Sequence, residues 1–555
     1  MSSMLTHMLQ LPPILNTASH AYNDYISIRN GSKGVNRLRR FVFNGILMSA
    51  VSLLMRLVAV AFNVYVSNKI GAVAMGLFSL ITTVYGFGIT FATSGINLAT
   101  TRLVAEAIGD TGSGTTKEIP ESRIGNVNCV LKKCLIYSLV FSSIATVTLY
   151  LLAESIGVGI LRDARTVRSL RLLAITLIPI AVSSTFCGYF SAVRQVYKNA
   201  ATQIFGQGIK IFCCIFLLSA ITANSIEGAC YAVVAGGAIA EISSFLLSML
   251  LYLSGRKRSG DLLGVKEKRA ATKKLLSNAL PLAFSAYMRS ALVTIEHILI
   301  PIGLERSGSS RDKSLAAYGT VGSMVFPLVL FPSAISASFA GLLIPEVAES
   351  CAVGDTRRIK GIVSTVLETV LIFSIGCAGI IMSFSLELGA EIYPTSDTAG
   401  KYILMIAPLI PVMYLDTAVD SMLKGLGEHI YTMWVNIADA SISVILVAIL
   451  LPIMGIKGYI ITVYFTEILN ATLSITRLLS KSGVKTRVLL WIVRPLACVI
   501  ASTKAVHFIM SRTHGSNIWI NILLSALIYI VLMICCGGIK IKTLINRARY
   551  ILKAT

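Results

Sequence analysis

Apolar runs of about 20 residues, separated by short polar segments, recur along the whole chain. A run of that length crosses about 30 Å of hydrocarbon as a helix. About fourteen such runs are present, beginning near Phe43, Ala74, Cys134, Leu170, Thr202, Gly228, Leu276, Ala317, Ile362, Tyr402, Tyr431, Gly458, Val488 and Asn517. They predict an all-α polytopic membrane protein. Its expected parts are a cytoplasmic N-terminal tail (1–40), a first six-helix bundle (41–255), a basic cytoplasmic linker (256–275), a second six-helix bundle (276–480), a terminal helix pair (486–538) and an amphipathic C-terminal tail (539–555).

The polar segments between the runs predict orientation. With the N-terminus inside, the inner loops and tails hold about 33 Lys and Arg and the outer loops about 11. Both termini then fall inside. The densest inner loop runs from Arg256, Lys257 and Arg258 to Lys273 and Lys274. The poorest fit is the connection after span three, where Arg162, Arg165, Arg168 and Arg171 would face outward; a short surface helix is expected there. Trp434, Trp491 and Trp519 each stand near the start of a span, where an indole suits the interface. Residues 1–40 end in Arg37, Arg39 and Arg40 and lack the pattern of a cleavable signal. Residues 540–555 mix Ile, Leu and Tyr with Lys542, Arg547, Arg549 and Lys553, as in a helix lying on a leaflet.

The chain also resembles itself. Val104-Ala105-Glu106 through Gly109-Asp110-Thr111 follows span two; Val347-Ala348-Glu349 through Gly354-Asp355-Thr356 follows span eight. Asn44 and Arg56 in span one match Asn278 and Arg289 in span seven. Elements six spans apart share one membrane orientation, so the repeat is parallel, with spans thirteen and fourteen appended to it. Two halves around a central cavity is the architecture of transporters.

Composition agrees. Of 555 residues, 55% are hydrophobic and 14% charged, and the mean hydropathy is +0.77. Soluble domains carry about 25% charged residues. The net charge of +23 would suit a nucleic-acid partner, but its distribution in short loops suits anionic lipid headgroups instead. The eleven cysteines form no CxxC pair and no cluster with histidine, so no metal site is expected.

Ionisable residues inside spans are costly and mark an interior facing protein or water. The basic ones are Arg56, Lys210, Arg289, Arg494 and Lys504. The acidic ones are Glu241, Glu296, Glu368, Asp416, Asp420, Asp439 and Glu467. Arg56 and Arg289 hold equivalent places in the repeats. Lining one cavity, two guanidiniums would bind an anion such as a diphosphate; otherwise each pairs with an internal carboxylate. Asp416 and Asp420 share a helix face and either bind a coupling cation or neutralise a base. Asp439 falls in the same class. Glu296 stands beside His297. Glu241, Glu368 and Glu467 suggest no role. Prolines 179, 281, 327, 332, 408, 411 and 495 allow bends in spans. Walker A, GxSxG and HExxH runs are absent, and no segment is long enough for a catalytic domain. The chain is expected to be no enzyme and to need no cofactor.

Gly95-Ile96-Asn97 with Arg102-Leu103-Val104-Ala105-Glu106, then Pro327-Leu328-Val329-Leu330-Phe331-Pro332 with Leu343-Ile344-Pro345-Glu346, then Leu423-Lys424-Gly425-Leu426-Gly427-Glu428 and Met454-Gly455-Ile456-Lys457-Gly458 follow one order along the spans. In this the chain resembles the polysaccharide-transport branch of the multidrug/oligosaccharidyl-lipid/polysaccharide exporter superfamily. It is most similar to the stage V sporulation protein B-like group, related to lipid II flippases of the MurJ type. The resemblance implies a flippase for a lipid-linked oligosaccharide or peptidoglycan precursor in a bacterial cytoplasmic membrane. Its cationic cavity would take the diphosphate-sugar headgroup, and a groove at the last two spans would take the polyprenyl tail. It places Arg56, Arg102 and Glu296 at headgroup positions, with Arg289 from the repeat, and Arg494 and Lys504 at the groove. Where MurJ-type members carry a further basic residue, this chain reads Val60-Ala61-Phe62-Asn63, which counts against lipid II itself as substrate. The implied partners are the lipid-linked glycan, anionic lipids at the basic loops, and H⁺, Na⁺ or the membrane potential as drive. The competing expectations are a cation-coupled multidrug exporter of the same superfamily, set apart by its usual twelve spans, and a membrane glycosyltransferase, set apart by a long acidic outer loop.

Overall fold

The computed structural model describes residues 33–109, 121–220, 225–255, 265–484, 488–510 and 517–537. The expected N-terminal tail up to residue 32, the first part of the basic linker and the amphipathic tail beyond residue 537 lie outside these. The described residues are almost entirely helical, with short turns between helices and no strand.

Span one and span two form one long helix, α1 (Lys33–Thr93), broken at Gly71, where φ is 78° and ψ 171°. Only glycine takes that conformation without strain, so this residue sets where the chain turns back. α2 (Ile96–Gly109) follows a break at Ser94 and Gly95, both at positive φ. α3 (Glu121–Glu154), α4 (Val167–Ala192), α5 (Val196–Ala220) and α6 (Ile226–Gly255) complete the first half. The second half starts with α7 (Val265–Arg306). Span eight is broken into α8 (Arg311–Gly319), a wide turn at Thr320–Val325 and α9 (Phe326–Leu330). α10 (Ser333–Val353), α11 (Thr356–Ser383) and the short α12 (Ser385–Ile392) follow. Span ten is α13 (Ala399–Ile406) and α14 (Ile410–Gly425) around a tight turn at Ala407–Leu409. α15 (His429–Met454), α16 (Ile456–Ser482), α17 (Val488–Met510) and α18 (Ile518–Cys535) end the described chain.

Among the described residues, eleven helical segments are long and apolar enough to cross a membrane, the first of them running from Leu53 to Ile108 through both arms of α1. α7 and α16 are not among the eleven. Both carry polar side chains on an inward face, where Glu296 of α7 and Glu467 of α16 line one cavity. The repeat is visible in the breaks: α2 follows span two as α10 follows span eight, with Val104 and Val347 of the repeated motif both fully buried.

Prolines mark the breaks. Pro327 opens α9, while Pro408 lies within the turn in span ten and Pro411 just after it. Carbonyls around such breaks need donors, because hydrocarbon offers none. Two buried tyrosines supply them: Tyr393 donates to Met324 O (2.8 Å) and Tyr414 to Val329 O (2.6 Å). The terminal pair docks on α11, where Gly379 faces Val499, Gly376 faces the Tyr529 ring, and Tyr529 donates to Ile372 O (2.6 Å). Trp434 and Trp519 face outward, whereas Trp491 is buried.

The halves meet where α1 crosses α8. Gly76 lies against the Leu315 backbone, and Gly319 against Ala72 and Gly76, leaving no room for a Cβ on either. Asn68 donates to Ile392 O (2.7 Å) beside this crossing, and Ser79 hydrogen-bonds Ser323. Gly319→Val should therefore separate the helices and lower the thermal midpoint, with overpacking costing about 1–3 kcal/mol. Gly86→Ala, where a Cβ meets nothing within 4 Å, should leave the midpoint unchanged. Thermal unfolding of the detergent-purified variants checks both.

Candidate functional site

At the end of the bundle where α1 crosses α8, charged loops lock the halves together. The connection between α3 and α4 is not the expected surface helix but two short turns, Ser155–Ile160 and Ala164–Thr166. Its arginines need no membrane surface because local groups take up three of them. Arg165 pairs with Asp163 (2.8 Å) and, across the halves, with Asp312 (3.0 Å). Arg171 pairs with Glu154 (3.2 Å), and Arg168 stacks 4.3 Å above the Tyr231 ring. From the other half, Arg311 pairs with Glu305, approaches Asp163 (3.7 Å) and donates to Leu161 O (2.5 Å). Burial raises the Asp163 carboxyl, but the hydrogen bonds and charge of Arg165, with the charge of Arg311, outweigh it and hold the group below the ordinary carboxylate value.

Further along α1, Arg56 is half-buried and reaches from the first half to the second. Its Nη2 donates to Ser333 Oγ (3.2 Å), at the start of α10. Among the described residues no carboxylate pairs with it. Arg289 has different surroundings. It lines a small cavity within the second half together with Glu296, Asn436, Asp439, Ser443, Thr466 and Glu467. Glu296 is buried and accepts from Ser443 Oγ (2.7 Å), whereas Asp439 Oδ1 is buried without a partner. Three carboxylates thus face one guanidinium, an excess of acid that an apolar interior tolerates only with a bound cation or proton. Beside the cavity, His297 Nδ1 shares a hydrogen with Tyr318 Oη (2.9 Å), and its Nε2 has no partner.

The two arginines of the repeat therefore serve different neighbourhoods: Arg56 faces the seam between halves, and Arg289 faces acids. Arg102 is exposed and pairs with Glu106 one turn along α2 (3.0 Å). Asp420 pairs with Lys424 (3.7 Å). Asp416 is buried, with Asn470 donating to one oxygen (3.4 Å). Arg494 is half-buried and Lys504 exposed on α17. Glu428, which takes Lys481 (2.8 Å) and Arg477 (2.7 Å), is held below the ordinary carboxylate value by those hydrogen bonds. The sequence shows Glu467 as an intramembrane acid without suggesting its role, and does not single out Asn436, Ser443 or Thr466. Their signal was available as spacing: 289, 293 and 296 on α7, 436, 439 and 443 on α15, and 463, 466 and 467 on α16 each fall on one helix face.

Fold and site together define a multi-pass α-helical membrane protein of two parallel six-helix halves, with an added terminal pair and buried charge in its interior. A family model for polysaccharide biosynthesis proteins matches residues 41–350. The chain belongs to that family. It is 23% identical over 515 residues to stage V sporulation protein B of Bacillus subtilis (strain 168), covering 90% of this chain and 96% of that protein. Among solved structures it is similar to the lipid II flippase MurJ in an inward closed conformation, with a TM-score of 0.65 and 13% identity over 88% of this chain and 98% of that one. It is also similar to an inward-facing multidrug resistance MATE family transporter of the MOP superfamily, with a TM-score of 0.60 and 15% identity over 77% and 94%.

The charged lock makes a prediction with a defined pH window. Asp163→Ala and Arg311→Ala should be non-additive in thermal stability, by about 0.5–3 kcal/mol for groups in one network. Because the folded carboxyl lies below its unfolded value, its contribution is complete above the ordinary aspartate range and is lost only as pH falls through the depressed folded value. A double-mutant cycle of thermal midpoints at pH 7 should show the coupling, and the same cycle well below pH 3.8, the reference value for aspartate, should not.

Proposed function

We propose that this chain is a flippase. It moves a polyprenyl-diphosphate-linked oligosaccharide or peptidoglycan precursor across a bacterial cytoplasmic membrane by alternating access. The observation that carries this reading is Arg56, a guanidinium between the halves with a neutral hydroxyl as its hydrogen-bond partner and, among the described residues, no carboxylate. An unneutralised charge in the membrane is kept for a ligand of opposite sign. Guanidinium forks onto phosphate oxygens, so the headgroup's diphosphate is its natural partner. Membership of the polysaccharide biosynthesis family supports the reading, as do the names of the sporulation protein and of MurJ.

The N-terminus and the basic loops face the cytoplasm, where they also meet anionic lipids. The Asp163 and Asp312 end then faces outward and is shut, so the headgroup enters from the cytoplasmic side. Opening requires breaking the ion pairs and withdrawing Gly319 from α1. The energy comes from a coupling cation, H⁺ or Na⁺, taken up among Glu296, Asp439 and Glu467 and released on the other side; Arg289 tunes that acidic cavity rather than gripping the diphosphate. The lipid tail lies along α17, past Arg494 and Lys504.

A second reading, export of a cationic drug by cation coupling, is favoured by the MATE-like fold and the acidic cavity. It is disfavoured by Arg56, which repels a cation. Drug accumulation that falls on expression would support it.

Expression in a bacterium depleted of its own lipid II flippase tests the proposal. Rescue of growth would assign the peptidoglycan precursor as cargo despite the uncharged stretch at Val60 to Asn63, and Arg56→Ala should abolish that rescue, since a charged hydrogen bond contributes roughly 1.5–3 kcal/mol, about ten- to a hundredfold in rate. Arg56→Lys should retain part of the function. Full activity of Arg56→Ala, with equal protein in the membrane, would exclude the cationic mechanism.

A further inference from the structure

The second half contains more unpartnered polar atoms than its packing can tolerate dry. Asp416 Oδ1, Asn470 Oδ1 and Ser474 Oγ are buried on α14 and α16 with no hydrogen-bond partner, and Asp439 Oδ1 on α15 adds a fourth. Asp416 is 8% exposed, Asn470 6% and Ser474 0%. Each unsatisfied group of this kind costs about 1–3 kcal/mol, and no lipid can satisfy it. Buried polar atoms lacking protein partners are the usual hosts of internal water.

Their placement is ordered. Asn470 and Ser474 are one turn apart on the face of α16 whose Asn470 meets Asp416. Asp416 is in turn within electrostatic range of Asp420, Asp439 and Glu467, and Glu467 lies within range of Asp439 and Glu296. Asp420 is partly exposed and pairs with Lys424 near the end of α14. An acidic or hydrogen-bonding group therefore occurs at each step from the surface to the cavity: Asp420, Asp416 with Asn470 and Ser474, Glu467, then Asp439.

We propose that a file of water between α14 and α16 connects the cytoplasmic surface at Asp420 to the acidic cavity, with Asp416 as an intermediate site for the coupling cation. This deepens the function proposed above and rests on its orientation and its cation coupling. Lys424 is the base facing the file at its mouth and Arg289 the base at its inner end; between them the facing titratable groups are acids, which favours a cation and excludes the anionic substrate. A cation bound at Asp416 relieves repulsion from Asp420, Asp439 and Glu467, so the site is populated in passage rather than as a structural ion pair.

Radical footprinting of the full chain in lipid nanodiscs tests the water file without substrate or gradient. Hydroxyl radicals generated from internal water oxidise adjacent side chains. Met413, on the Asp416 face of α14, and Met324, at the turn in span eight, are both buried. Met413 should label clearly faster than Met324 if water stands beside it, and Asn470→Leu combined with Ser474→Ala should bring it down to the Met324 rate. Equal labelling of the two methionines in the unaltered chain would overturn the proposal, even if the double variant failed to fold. Complementation separates the path from the coupling: Asp416→Asn and Asp439→Asn should both lose function. If Asp439→Asn fails while Asp416→Asn is fully active, cation coupling stands and the path through Asp416 is wrong.

Discussion

Charge inside hydrocarbon must find a partner, and this requirement organises the whole protein. Arg165, Arg171 and Arg311 find carboxylates in the loops and lock one end. Arg289 finds three acids in a cavity of its own half. Asp420 finds Lys424. Arg56 alone among the candidate headgroup arginines is placed between halves with a hydroxyl for company, and the functional reading grows from that imbalance. Where acids outnumber bases, in the second half, the proposed coupling cation would balance the excess.

The same accounting applies to the backbone. Breaking span eight frees carbonyls, and Tyr393 and Tyr414 donate to two of them, Met324 O and Val329 O. These fixed donors keep the break localised and give span eight a defined bend beside the crossing of Gly76 and Gly319. The glycines let backbones touch; the ion pairs above them are soluble in water and separable. A seam of close contact under a cap of ion pairs can open without exposing an unpaired charge to lipid, as the proposed alternating access demands.

Much of this was legible in the residues. The spans, their parallel repeat and the appended pair follow from apolar run length and from motifs such as Val104-Ala105-Glu106 and Val347-Ala348-Glu349, because the bilayer dictates helix length. Arg56 and Glu296 stood out as charges in apolar runs. The partners did not. Equivalent positions in the repeat suggested equivalent roles for Arg56 and Arg289, yet the acids opposite Arg289 come from α15 and α16, and no local pattern on α7 reveals them. The outward arginines looked like a topological misfit for the same reason: Asp312 lies far along the chain, and only the fold brings it to Arg165. Glu467 is visible as an intramembrane acid but suggests no role by itself, because the residues that share its cavity come from α7 and α15.

Arg56 is proposed to handle the diphosphate of a lipid-linked glycan, and translocation of that headgroup is its direct readout. Proteoliposomes carrying a fluorescent polyprenyl-diphosphate N-acetylglucosamine, with a membrane-impermeant quencher added outside, measure translocation between leaflets directly. The chain should move the probe far faster than protein-free vesicles do, and Arg56→Ala should abolish the gain while Arg56→Lys keeps part of it. Translocation by Arg56→Ala at the full rate, or no translocation by the intact chain under an H⁺ or Na⁺ gradient of either direction, would contradict that role.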